Sequence, residues 1–121
     1  MQRDWDLIRA ILTQTAEKGP GAMLDGAEVK GWDQLVVNAH IAMLSDAGYL
    51  HAALVRGHAI VTAALVRDLT MQGYDLADTL KSPSVWERVK KVGKDKGIEL
   101  TFEAVKQLTA VAIKQLLGAS E

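Results

Sequence analysis

Two runs rich in Leu, Val, Ile and Ala, Tyr49 to Val55 and Ala59 to Leu69, flank Arg56-Gly57-His58. Runs of that length around a glycine turn predict a β-hairpin. Its alanines have low strand propensity, yet it is the one strong strand signal in a chain whose other apolar residues recur at helical spacing. Whatever fold forms must seat a small two-stranded ribbon among helices.

The helices can be read from their stripes and punctuation. Over Asp4 to Lys18, Leu7, Ile8, Ile11 and Leu12 make one apolar face, and Asp4 is placed to cap it. Gly19-Pro20-Gly21 stops that helix, and Ala22 to Val29, with Asp25-Gly26 inside it, reads as a short strand or irregular connector. Asp33 to Ala47 is the second helix, with Asp33 as cap, Gly48 as terminator and Val37, Ile41 and Leu44 inward. Trp32, just ahead of it, is placed to pack as a lid over the first helix. After the hairpin, Thr70 caps a short helix to about Leu80. Ser82-Pro83-Ser84 opens another that Gly97 ends, and Thr101 caps a last helix to Leu117 with Val105, Leu108, Ala112, Ile113 and Leu116 inward.

The order helix, connector, helix, hairpin, then three helices predicts a mostly α fold with a small β-hairpin, an α+β class. The N-terminal half over 1–80 is winged-helix-like. A helical C-terminal tail over 81–121 packs on it or mediates dimerisation, within one compact domain of 121 residues. Six aromatic residues leave a core built from aliphatic side chains, and the lack of cysteine excludes disulfides, thiolate metal sites and a cysteine nucleophile.

Several segments carry a resemblance. Arg3-Asp4-Trp5-Asp6-Leu7-Ile8-Arg9 is similar to an Arg-Asp-Met-Asp-Leu-Ile-Arg opening, and Ala39 to Leu50 to a His-Leu-x-x-Leu-x-x-Ala-Gly-Leu-Ile stretch. Leu69-Thr70-Met71-Gln72-Gly73 matches Leu-Thr-x-x-Gly, Val85-Trp86 matches Val-Trp, and Leu117-Gly118 matches the usual ending. The family they resemble is the domain-of-unknown-function 2513 family. The resemblance implies a winged-helix-like N-terminal half, a helical tail and a setting in phages, prophages and other mobile elements. It brings no catalytic residues. The hairpin here is shorter and richer in alanine than the resemblance implies.

A winged helix suggests DNA, with the second helix in the major groove and the hairpin on the backbone. The charges oppose that. There is no Lys or Arg between Lys30 and Arg56, and residues 1–80 hold six bases against ten acids, a net −4. The remaining eight bases and five acids give +3 to residues 81–121, in a chain of net charge −1. Phosphate contact needs cations where the groove is. The second helix instead presents a small, base-free face. Its candidates for protein contact are Gln34, Asn38, Ala42, Ser45 and Asp46. The alternative nucleic-acid set is Arg56 and His58 on the wing with Lys90, Lys91 and Lys94 on the tail.

Other chemistry has simpler readings. His40, His51 and His58 do not have spacings that enforce a metal site, and His40 reads as a partly buried core residue with one hydrogen bond. Asp4/Asp6 sit at a helix start and Asp75/Asp78 on a short helix, where capping and solvation account for them. Lys18-Gly19-Pro20-Gly21 lacks the preceding strand and the Lys-Ser/Thr of a phosphate loop. The sequence therefore predicts a non-enzymatic protein with no cofactor, acting through a protein partner or as a homodimer. One such role is a mobile-element inhibitor of a host defence or nucleoprotein complex. The charged N-terminus and the interrupted apolar stretch Leu50 to Val66 predict a cytoplasmic, non-membrane protein.

Overall fold

The computed structural model describes residues 1–118 and divides into two compact units, Met1–Ala77 and a second beginning at Asp78. In the first unit, α1 (Trp5–Glu17) leads into β1 (Leu24–Asp25), a 3-10 turn (Gly26–Glu28) and α2 (Gln34–Asp46). The hairpin follows as β2 (Leu50–Arg56) and β3 (Val61–Leu69), then α3 (Met71–Leu80), in which the unit boundary falls. The second unit holds α4 (Pro83–Lys96) and α5 (Phe102–Gly118). An α+β chain of helices with a small antiparallel sheet is what the sequence predicts.

Local chemistry accounts for the helix ends. Asp4 Oδ1 accepts the backbone N–H of Leu7 at 3.1 Å, and Asp33 accepts those of Leu35 and Val36. At the end of α2, Gly48 has φ 85°, the N–H of Tyr49 reaches Leu44 O at 2.9 Å and that of Gly48 reaches Ser45 O at 3.1 Å. This is a Schellman motif, which needs a residue free to enter the left-handed region. Gly97 repeats it after α4, with Ile98 N–H on Gly93 O at 2.8 Å.

The sheet has order β1-β3-β2, all antiparallel. Leu24 and Asp25 pair with Val66 and Leu65, so the connector supplies a third strand. The ladder between β2 and β3 carries two irregularities. Both place the extra residue, Arg67 or Thr62, on β3. The turn is longer than the sequence suggests: β3 starts at Val61, not Ala59. Gly57 to Ile60 make the loop, closed by Gly57 N–H on Ile60 O at 2.8 Å, with Ala59 at φ 60°.

The core of the first unit lies between α1, α2 and the sheet, with Leu7, Ile11, Leu12, Val37, Ile41 and Val66 almost wholly buried. The Leu69-Thr70-x-x-Gly73 segment has a mechanical role here. Thr70 Oγ1 donates to Gly48 O at 2.6 Å and accepts from Gly73 N–H at 3.1 Å, while its own N–H bonds Tyr49 O. A Cβ at Gly73 would overlap the Tyr49 carbonyl oxygen. Glycine is therefore required for α3 to leave the hairpin at this angle.

In the second unit, Ser82 caps α4 and Thr101 caps α5, and Trp86, Val89, Val105, Leu108 and Ala112 are buried. Ile113 and Leu116, expected inward, are exposed. Two consecutive helices on a short connection run antiparallel. The buried positions of α5, Val105, Leu108, Thr109 and Ala112, lie in its first three turns, and Ile113 and Leu116 fall past them.

Candidate protein-interaction surface

The outward surface of α2 follows from how many neighbours the helix has. It packs against β2 and β3 along one side, and against α1 and the 3-10 turn along others. Burial therefore covers more than half of its circumference, not only the Val37-Ile41-Leu44 stripe. Asn38, His40 and Ala42 are buried with that stripe.

Asn38, a sequence candidate for partner contact, is in fact a clamp. Its Nδ2 donates to Val61 O at 3.2 Å and its Oδ1 accepts from Gln34 Nε2 at 3.0 Å. Gly26 packs so closely against it that a Cβ there would stand 2.7 Å from Asn38 Oδ1. Ala42 is likewise inside, 7% exposed, and does not belong to the outward face. Its small side chain marks close packing, which a wheel drawn about the apolar stripe cannot separate from a small surface residue.

His40 makes two hydrogen bonds where one was expected, and is fully buried. Its Nε2 accepts the backbone N–H of Asp4 at 2.9 Å, and its Nδ1 lies 2.8 Å from Val36 O. A backbone N–H only donates and a carbonyl only accepts, so the ring is the neutral tautomer with its proton on Nδ1. Trp32 Nε1 donates to Asp4 Oδ2 at 3.0 Å, which makes this Trp the expected lid on the start of α1. Among the described residues, every buried side-chain nitrogen or oxygen has a partner.

Of the five candidates, Gln34 and Asp46 are exposed and Ser45 is half-buried. What α2 shows outward is Leu35, 47% exposed, and Met43, 39% exposed, with Ala39 between them and Asp33 and Asp46 at the ends. Leu35, Ala39 and Met43 recur every four residues. That spacing was the available signal for Met43, which the sequence reasoning missed. On the hairpin, Arg56 and His58 are exposed, beside Val55 at 60% and Ile60 at 47%. The hairpin tip is thus as apolar as it is basic.

The tail lysines lie in the second unit. Lys90 is 3.1 Å from Glu87 and its Nζ stands 5.8 Å from the Trp86 ring centroid, Lys91 is 3.7 Å from Asp95, and Lys94 is exposed. Two of the three are therefore matched by carboxylates on their own helix. Lys18 is similarly engaged, 3.2 Å from Glu28. Gly19 to Ala22 form a type II turn with Pro20 at its second position and Gly21 at φ 78°. Among the described residues no helix is long and apolar enough to cross a membrane.

Comparison with known proteins gives matches of one kind. A family model described as "Hypothetical protein (DUF2513)" matches residues 2–99, ending ahead of α5. A protein of Haemophilus influenzae (strain ATCC 51907 / DSM 11121 / KW20 / Rd), described as "Uncharacterized protein", is 33% identical over 121 residues. The alignment takes in 98% of this chain and 100% of that protein. No solved structure matches.

Proposed function

The chain belongs to the DUF2513 family, and we propose that it acts by protein–protein contact through the outward face of α2, with no catalytic step of its own. We read the order α1-β1-α2-β2-β3 with sheet order β1-β3-β2 as a winged-helix-like scaffold. In a DNA-binding version α2 would enter the major groove. The observation that carries the protein-binding reading is the pair Leu35 and Met43, exposed between Asp33 and Asp46 on that helix. Apolar groups exclude water from a protein interface core, whereas carboxylates repel a polyanion. Of Gln34, Asn38, His40 and Ser45, the α2 side chains with groups that could read bases, Asn38 and His40 are occupied inside. The partner chemistry this face suits is an apolar patch rimmed by Lys or Arg. An inhibitor of a host or phage nucleoprotein complex, in the mobile-element setting that the family resemblance implies, belongs to this class.

Arg56 and His58, exposed at the wing, favour the alternative of a DNA-binding regulator. A mobility-shift assay with mixed-sequence duplex at low salt separates the two. The protein-binding reading expects no retardation. It also expects a partner captured by the wild-type chain to be lost by the Leu35→Glu, Met43→Glu double variant. Retardation that weakens steeply with salt and falls on Arg56→Ala would replace this reading by the regulator.

A further inference from the structure

The two edges of the sheet are treated differently. The β1 edge is two residues long and ends in Asp25, whose carboxylate caps the 3-10 turn. Short length and charge are the usual means of blunting an edge. The β2 edge is long, and its one fixed charge is Arg56 at the very end. It runs seven residues, Leu50 to Arg56, without Lys, Pro, Gly or an acid, and β3 pairs with it on one side only. Both bulges lie on β3, so the β2 run is itself unbroken. On its solvent-facing side Ala53 and Val55 are exposed, next to Ala63 on β3 and Ile60 in the turn.

We propose that β2 is a pairing edge for a second copy of this chain, joining two three-stranded sheets into one of six strands. The strand's own sequence suits a second copy of itself and sets the direction. In a two-fold antiparallel pairing centred on Ala53, all seven residues find partners. His51 then faces Val55 and Arg56 faces Leu50 of the second copy. Arg56 then avoids its own counterpart, which it would meet in a parallel pairing. Because side chains alternate across a strand, His51, Ala53 and Val55 of both copies fall on one face. Their apolar groups then extend that face across the junction. The proposal is independent of the reading of α2, which lies on another surface of the same unit.

The absence of cysteine makes the test direct. Directly opposed residues in antiparallel strands have Cα atoms about 4.5–5.5 Å apart, within the range a disulfide spans. Ala53→Cys should therefore give a covalent dimer under mild oxidation, while His51→Cys and Leu35→Cys should not. Sedimentation of the unmodified chain should show a concentration-dependent dimer. Ala53→Lys with Val55→Lys should raise its Kd by about tenfold or more, or about 1.4 kcal/mol, with circular dichroism unchanged. A monomer at about 100 µM, a dimer indifferent to those lysines, or equal cross-linking at Leu35→Cys would overturn it. Preferential cross-linking at Leu35→Cys would instead put the copies together through α2.

Discussion

The two sides of α2 differ in a way that hydrophobicity alone does not order. Its inward side holds Asn38 and His40 as well as Val37, Ile41 and Leu44, and its outward side holds Leu35 and Met43. The inward polar groups are stable there because each finds partners: Val61 O and Gln34 for Asn38, Asp4 N–H and Val36 O for His40. Burial of a polar group is costly only where a donor or acceptor is left over. The outward apolar groups have no such account within the unit, and that asymmetry is why a partner is the natural reading for this surface. Buried polarity here is architecture, and exposed apolarity is what the proposed partner contact rests on.

The sharpest way to break the comparison is Ala42→Arg. On an outward face the change would be harmless. With Ala42 buried it overpacks the helix junction and buries a guanidinium, so a loss of about 4 kcal/mol or more is expected by urea denaturation. A variant as stable as the parent would return Ala42 to the surface. His40→Ala is expected to cost about 2–4 kcal/mol, since it opens a cavity and orphans the Asp4 N–H at the start of α1. Asn38→Ala follows at about 1–3 kcal/mol, because the Val61 carbonyl loses its donor. Leu35→Glu with Met43→Glu inverts the outward side instead. Each change is expected to alter stability by no more than about 0.5 kcal/mol, although the pair should abolish partner binding. Comparable losses from both sides of the helix would erase the distinction.

The parts of this structure legible in the sequence are those decided within a few residues. Asp4, Asp33, Ser82 and Thr101 cap helices through amides two or three residues on, and Gly48 and Gly97 end them through their own backbone. The hairpin was legible because its strands are adjacent in sequence. The interactions that were not legible span the chain. Leu24 pairs with Val66, His40 reaches Asp4 across 36 positions, and Asn38 reaches Val61 across 23. A helical wheel assumes one buried side, whereas α2 has neighbours on several. Gln34 and Asp46 were correctly placed outward, but Asn38 and Ala42 were not, and Met43 was overlooked because methionine reads as core.

The smallest expected effect concerns a polar group on the surface, the counterpart to Asn38 and His40. Glu28 accepts the backbone N–H of Asp25 at 2.7 Å and the Lys18 ammonium at 3.2 Å. The Asp25 amide first, and Lys18 second, hold its carboxyl below its ordinary value of 4.5. A carboxyl whose folded value is depressed stabilises the fold above its unfolded value and loses that contribution as pH falls through the folded one. Acid should therefore loosen the capping box at Asp25 and the entry to α2, with the change confined to pH below about 4.5. Glu28→Gln can still accept the Asp25 amide but has no charge to titrate. A small flattening of the acid limb of stability against pH, with little change near neutrality, is the expected result. Equal acid limbs in the two proteins would show that the charge on this surface cap contributes nothing to stability, in contrast to the buried pair in α2.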